Sequence, residues 1–500
     1  MSGSGLVRAG LVVSLVTFLG RLSGLLRELA LARSMGAGAE ADIAVLLLTL
    51  PDLLTQVLAA GAIAAVLVPV FESAGPESGR SAGLFRRFTG WALLLGLGLG
   101  AGVWIGTPWV LAALAPGFSV WQVAQASAGL AVVAWTLPVA IASAVSAAWL
   151  QAQSRFALVT AGTLLFNAAV MVALLSAPGS FTMLGVGLIA AVTVRWVSQV
   201  AALGRRVWRP SDGDLALPPG LRRRYVEAAG AAAVVFAAPL VARSLASLGG
   251  DGAVATLNYA TRVLEVPMGL AIGVVPVILF PRLSAAVSAH EDARFSDLLA
   301  SGWVGVAAVS VPIAVALLAF GDVAAQLVYA VSGLDDASLV AIGRLIAVGA
   351  LGLPALGAAF LYQSALHARL DTRGPLVASA VYVGLLLAVG WPAVVFGGGV
   401  ALVGAMAACQ WVFAAALAAR LWRTHGVAAL SRPLVTMLAG ITLVTVLALA
   451  GPVWWARDAG TLGRVLAAMG GGTLALSGAL AVLWHAGVPL PWRGRPTRGV

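Results

Sequence analysis

Six ionisable side chains stand where the surrounding sequence is apolar, and their types and spacing could hold an anion. In the run Gly20-Arg21-Leu22-Ser23-Gly24-Leu25-Leu26-Arg27-Glu28, Arg21 and Glu28 are seven residues apart and share a helical face. Arg27 falls about 120° around a straight helix from Arg21. Asp42 opens the next apolar run, within reach of the outer end of the first. Further on, Arg262 and Glu265 lie three apart on one face of Tyr259-Ala260-Thr261-Arg262-Val263-Leu264-Glu265-Val266-Pro267. A central arginine costs about 2.5–3.5 kcal/mol on membrane-insertion scales, so each one retained needs a reason. Guanidinium grips phosphate or carboxylate through paired N–H groups and stays charged when poorly hydrated. A cavity lined by Arg21, Arg27 and Arg262 would therefore suit a pyrophosphate or carboxylate headgroup. The competing readings are internal ion pairing, for which Arg262 and Glu265 are well spaced, and snorkelling to an interface. Arg33 at a helix boundary and Arg195 beside Trp196 fit snorkelling better.

Other chemistry finds little support. There is no Walker A pattern for nucleotide hydrolysis. The four histidines, His290, His367, His425 and His485, lack metal-ligand spacing, and no nucleophile–base pair is recognisable. Cys409 is alone, which excludes a disulfide framework and a CxxC redox motif. The expectation is a non-enzyme with no cofactor and no metal site.

The elements that must position these charges follow from composition. Of 500 residues, 61% are hydrophobic and 10% charged, and the mean hydropathy is +1.00. Soluble domains carry roughly 25% charged residues, so lipid is the main solvent here. A span needs about 20 apolar residues. Such runs fall near 9–33, 40–71, 88–112, 124–150, 158–176, 183–204, 225–248, 253–280, 298–320, 339–366, 375–396, 399–421, 433–454 and 462–484. This predicts an all-α integral membrane protein of about fourteen transmembrane helices, the second bent or broken at Pro51 and Gly61. The first run is too long and too charged for a cleavable signal peptide.

The net charge is +11, and every basic residue is arginine. The arginines occupy short loops rather than a soluble basic face, so they read as topology signals and anionic-lipid contacts, not as a nucleic-acid site. Loops after even-numbered helices hold Arg80, Arg86 and Arg87, Arg155, Arg205 through Arg224, Arg282 and Arg294, Arg369 and Arg373, and Arg420 through Arg432. Loops after odd-numbered helices are nearly free of arginine, and one carries Asp322, Asp335 and Asp336. The positive-inside rule then puts the even loops and both termini in the cytoplasm.

A duplication is also legible. Leu137-Pro138 and Leu150-Gln151-Ala152-Gln153 recur as Leu353-Pro354 and Leu366-His367-Ala368-Arg369, offset by 216 residues. This six-helix displacement preserves orientation, as parallel repeats require. The implied organisation is an N-lobe over 1–204, an arginine-rich linker over 205–224, a C-lobe over 225–421, and helices 13 and 14 with a basic tail over 422–500.

The first helix pair now becomes familiar. Gly20 through Glu28, Ala32-Arg33-Ser34-Met35-Gly36-Ala37-Gly38 and Ala41-Asp42 resemble the opening of the MurJ/MviN lipid II flippase family. Leu50-Pro51-Asp52-Leu53-Leu54, Gly61-Ala62 and Val68-Pro69-Val70 continue that pattern. Ala115-Pro116-Gly117-Phe118, Arg155-Phe156 with Asn167, Tyr259 through Pro267 with Gly269, and Asp371 through Pro375 follow in the family's order. The resemblance implies a fourteen-helix flippase of the multidrug/oligosaccharidyl-lipid/polysaccharide exporter superfamily, with two lobes enclosing a cationic cavity. Lipid II, an undecaprenyl-pyrophosphate glycolipid, would pass from the inner to the outer leaflet of the bacterial cytoplasmic membrane by alternating access. Arg21, Arg27 and Arg262 fall on the family's functional arginines, and Asp42 and Glu265 on its acidic positions, with Glu28 beside them as a substrate-site residue. Cell-wall synthesis proteins are the partners the resemblance raises besides membrane lipids.

The sequence also departs from the family. Thr55, Gln56 and Ala60 stand where a basic pair and a glutamate are usual, and Thr261 replaces an acid. Some members bind sodium through helices 7 and 11, but helix 11 here has no carboxylate and helix 7 presents Arg243, so no sodium site is carried over. Two rivals remain: an exporter of another undecaprenyl-pyrophosphate-linked oligosaccharide, and a non-transporting membrane scaffold. A cationic-drug transporter is disfavoured, since its cavity would be acidic.

Overall fold

The computed structural model describes residues 19–20, 22–54, 63–75, 77–211, 220–269, 274–427, 432–456 and 459–485, nearly all of them helical. Only helices and closed barrels satisfy every backbone group in lipid, and this chain takes the helical solution. Its outward faces are apolar: Trp109 is 73% and Phe396 84% exposed, which is stable only where lipid, not water, meets them.

Contacts divide the chain into two compact units, residues 1–255 with 331–334, and 256–330 with 335–500. The first unit begins with α1, helical over 22–35, then α2 (Ala39–Leu54), α3 (Ala64–Ala74), α4 (Gly79–Ile105), α5 (Thr107–Leu114), α6 (Val120–Val133), α7 (Leu137–Ala152), α8 (Phe156–Ser176), α9 (Phe181–Leu203) and α10 (Leu221–Ala246). At its centre, α7 packs on α3, α4 and α9. Trp149 is fully buried; it stacks on Phe71 at 5.8 Å and meets Phe85 in a tilted contact at 5.0 Å. Helix α11 (Ala253–Pro267) runs from this unit into the next.

The second unit continues with α12 (Val274–Ser288), α13 (Asp292–Tyr329), α14 (Asp336–Ala350), α15 (Leu353–Ala368), α16 (Arg373–His425), α17 (Arg432–Ala456) and α18 (Thr461–His485). Here α13 is the hub, touching α12, α14, α15, α17 and α18. The last two helices dock on α13 through Phe320, Val323, Leu449, Ala467 and Ala475.

Among the described residues, eight helices are long and apolar enough to cross a membrane, or up to ten with each bent pair taken as one span. One of the eight is α16, whose 53 residues would extend about 80 Å as one straight rod, far beyond a bilayer core. It breaks at Gly398 (φ 67°, ψ −162°), a backbone state open essentially to glycine alone, which leaves two pieces of span length. The expected total of fourteen is not reached from these helices by themselves. The start of helix 1, the α2–α3 junction and the α11–α12 junction fall partly outside the described residues, as do Gly61, Thr55 and Gln56.

The two helices that carry the recurring residues share local backbone features. Helices α7 and α15 each hold 16 residues and carry proline in their first turn. Both end in a turn with positive φ, 59° at Ser154 and 61° at Leu370. In each turn one amide returns to a carbonyl five residues back, Arg155 to Leu150 and Asp371 to Leu366, both at 2.9 Å.

Candidate functional site

The first unit gathers a polar network inside its apolar helices. Ser23 and Arg27 are one helical turn apart on α1, so both face the same neighbours. The Arg27 side chain is 5% exposed; its Nη2 reaches Glu28 Oε1 at 3.0 Å. Its Nη1 donates to Asp52 Oδ2 on α2 at 3.3 Å and to Asn167 Oδ1 on α8 at 3.4 Å. Asn167 Nδ2 in turn donates to Ser23 Oγ at 2.8 Å, and Ser23 Oγ donates to the Gly20 carbonyl. One guanidinium therefore ties three helices together. Its Nε has no hydrogen-bond partner, so donor capacity is left over on a buried cation.

Beside this network is a cavity of about 10 Å³, lined by Pro51, Asp52, Ala140, Ser143, Phe166, Val192 and Arg195. That is room for one water at most. Ser143 Oγ donates to Gln199 Oε1 at 2.8 Å, one turn from Arg195 on α9. Arg195 is thus not an interfacial arginine pointing to the headgroups. It faces Asp52 across the cavity, and its Nε is buried without a partner.

Asp42 is 1% exposed and is committed to backbone. Its Oδ2 accepts the Gly252 N–H and its Oδ1 the Ala255 N–H, each at 2.7 Å. These are orphan amides at the start of α11, where a carboxylate also meets the positive end of the helix dipole. In the second unit, Arg262 Nη1 meets Glu265 Oε2 at 2.8 Å, with side chains 24% and 48% exposed. Arg33 Nη1 donates to the Val331 carbonyl at 3.3 Å.

Of the six side chains singled out by sequence, Arg27 joins Glu28 and Arg262 joins Glu265, while Asp42 caps a helix. Arg21 lies outside the described residues. Sequence reasoning passed over Asp52, Asn167, Ser23 and Arg195 as site residues. The available signal was an aspartate inside an apolar run after Pro51 and a lone asparagine within the apolar run that forms α8, each too costly to bury without a partner.

The family model for "Lipid II flippase MurJ" matches residues 31–465. The chain belongs to this family. The lipid II flippase MurJ of Burkholderia cenocepacia is 26% identical over 391 residues, covering 74% of this chain and 75% of that protein. A probable lipid II flippase MurJ of Rhizobium meliloti is 29% identical over 180 residues, 35% of this chain and 33% of its own length. Among solved structures, a lipid II flippase MurJ in an inward closed conformation superposes with TM-score 0.83 at 15% identity, over 95% of this chain and 99% of that one. An inward-facing multidrug resistance transporter of the MATE family matches with TM-score 0.66 at 12% identity, over 79% and 92%. At these identities the two solved structures share with this chain a multi-helix membrane-protein backbone architecture and nothing finer.

Proposed function

We propose that this chain flips lipid II from the inner to the outer leaflet of the cytoplasmic membrane by alternating access, with the pyrophosphate held by arginine. Arg27 carries the reading: a buried guanidinium with unspent donor capacity, held at the crossing of α1, α2 and α8, in a chain of the lipid II flippase MurJ family. Arg21 and Arg262 complete the set of headgroup ligands, and Glu28 and Glu265 hold Arg27 and Arg262 in place between transport cycles. Asp42 contributes by fixing the head of α11. Both termini are assigned to the cytoplasm from the arginine-rich loops, and the two six-helix halves from the repeat at offset 216.

A diphosphate exchanges one set of carboxylate contacts for a stronger, doubly charged one, which is why an arginine already paired can still bind substrate. Replacing Arg27 by Gln in proteoliposomes is expected to lower lipid II flipping at least tenfold. Flipping at the unaltered rate in Arg27→Gln, Arg21→Gln and Arg262→Gln alike would sink the reading. A flippase for another undecaprenyl-pyrophosphate-linked oligosaccharide shares this chemistry. Thr55 and Gln56, standing where the family's basic pair is usual, favour testing it; failure to complement loss of an authentic lipid II flippase, with headgroup binding retained, would select it.

A further inference from the structure

Asp52 lies on α2, directly after Pro51. A carboxylate held on an apolar helix depends on cations from other helices. Two arginines serve it. Arg27 Nη1 stands 3.3 Å from Asp52 Oδ2, while Arg195 lines the same one-water cavity as Asp52. Arg195 forms no ion pair among the described residues, and its Nε is buried without a partner, as is Gln199 Nε2 one turn along α9. A buried guanidinium that meets its counter-charge only across a gap is expensive. Among the described residues, Glu28 and Asp52 both form ion pairs with Arg27.

We infer that Asp52 is a counter-ion that changes partners: it neutralises Arg27 while no headgroup is bound and passes to Arg195 when a diphosphate takes Arg27. This deepens the reading of Arg27 as a headgroup ligand and rests on it. The physical drive is repulsion. A diphosphate on Arg27 brings two or more negative charges within a few ångströms of Asp52, in surroundings where water screens weakly. Arg195 then offers a cation that forms no ion pair among the described residues, across the one-water cavity that both side chains line. The Asp52 side chain is 29% exposed, against 5% for Arg27, so the anion moves and the guanidinium stays. Arg195 is a positioning residue: it acts on the headgroup through Asp52.

The exchange is tested with purified full-length protein, measuring lipid II binding and flipping for Asp52→Asn, Arg195→Gln and the double variant, with Arg27→Gln as control. Asn and Gln keep the shapes of the native side chains. Asp52→Asn removes the competitor for Arg27, so lipid II is expected to bind at least about threefold tighter. Arg195→Gln strands Asp52 on Arg27, so binding is expected to weaken by a similar factor and flipping to slow. In the Asp52→Asn background the Arg195→Gln change is expected to do nothing, and Arg195→Lys is expected to restore binding in the Asp52 background. A packing role for Arg195 would weaken binding equally in both backgrounds. Weaker or unchanged binding in Asp52→Asn, or an Arg195→Gln effect that persists in the double variant, overturns the exchange. Loss of binding in Arg27→Gln alongside either result shows that the headgroup reading stands while the exchange falls. Unchanged binding in Arg27→Gln overturns both.

Discussion

The Asp42 carboxylate accepts the backbone N–H of Ala255 at 2.7 Å, across 213 residues of sequence. With Gly252 on its other oxygen, this one side chain stands in for a helix N-cap supplied from another helix. Removing a capping side chain costs about 0.5–2 kcal/mol, and in a buried setting the orphaned amides push toward the upper end. Asp42→Ala is therefore expected to lower the melting temperature of the detergent-purified protein by several degrees. Asp42→Asn keeps one acceptor oxygen and should fall between it and the native protein. A melting temperature unchanged in Asp42→Ala would show that the amides find other partners.

Close approach of α4 and α7 gives a second expectation. A Cβ on Gly96 would lie 2.3 Å from the Pro138 Cα and 2.7 Å from its N, and one on Gly100 would lie 2.9 Å from the Ala134 carbonyl oxygen. These are backbone atoms, which cannot swing aside. Small residues at four-residue spacing let membrane helices pack at such distances, and overpacking a tight contact costs about 1–3 kcal/mol. Gly96→Ala is expected to reduce the yield of folded, monodisperse protein, and Gly96→Leu to abolish it. Gly98, with open space around it, accepts alanine without loss.

How much of this was legible beforehand differs by physical cause. The helices announced themselves, because an apolar run of span length in so weakly charged a chain has no alternative fate. The recurring residues at offset 216 lie on two helices that end in like turns, at Ser154 and Leu370. The pairing of Arg262 with Glu265 followed from a spacing of three on one helix. Arg27 with Asn167 did not, since their separation of 140 residues leaves no periodic trace. Arg195 was misplaced for a related reason. Its neighbour Trp196 and the arginine-rich loop beyond suggested an interface, whereas its actual environment is set by Asp52 and Ser143 from two other helices. Charges placed by local spacing can be read from sequence; charges placed by helix packing cannot.

The loop between α15 and α16 carries a pH-dependent contribution to stability. Asp371 Oδ2 accepts from Arg420 Nε at 2.8 Å, and its Oδ1 accepts the Gly374 N–H at 2.8 Å. The Arg420 hydrogen bond, with that amide, holds the Asp371 carboxyl below the usual aspartate range. An unfolded aspartate titrates near about 3.9, so the folded form releases its proton more readily than the unfolded form does. The stabilisation is then fully present above about pH 4 and is lost as pH falls through the lower folded value. Melting the detergent-purified protein from pH 7 down to pH 3 should show stability falling at the acid end, and Asp371→Asn should flatten that fall while lowering the plateau at neutral pH. The pair is partly open to solvent on the Arg420 side, 45% exposed, so salt should shrink the difference at neutral pH. A native acid limb identical to that of Asp371→Asn would show that other carboxylates carry the acid sensitivity.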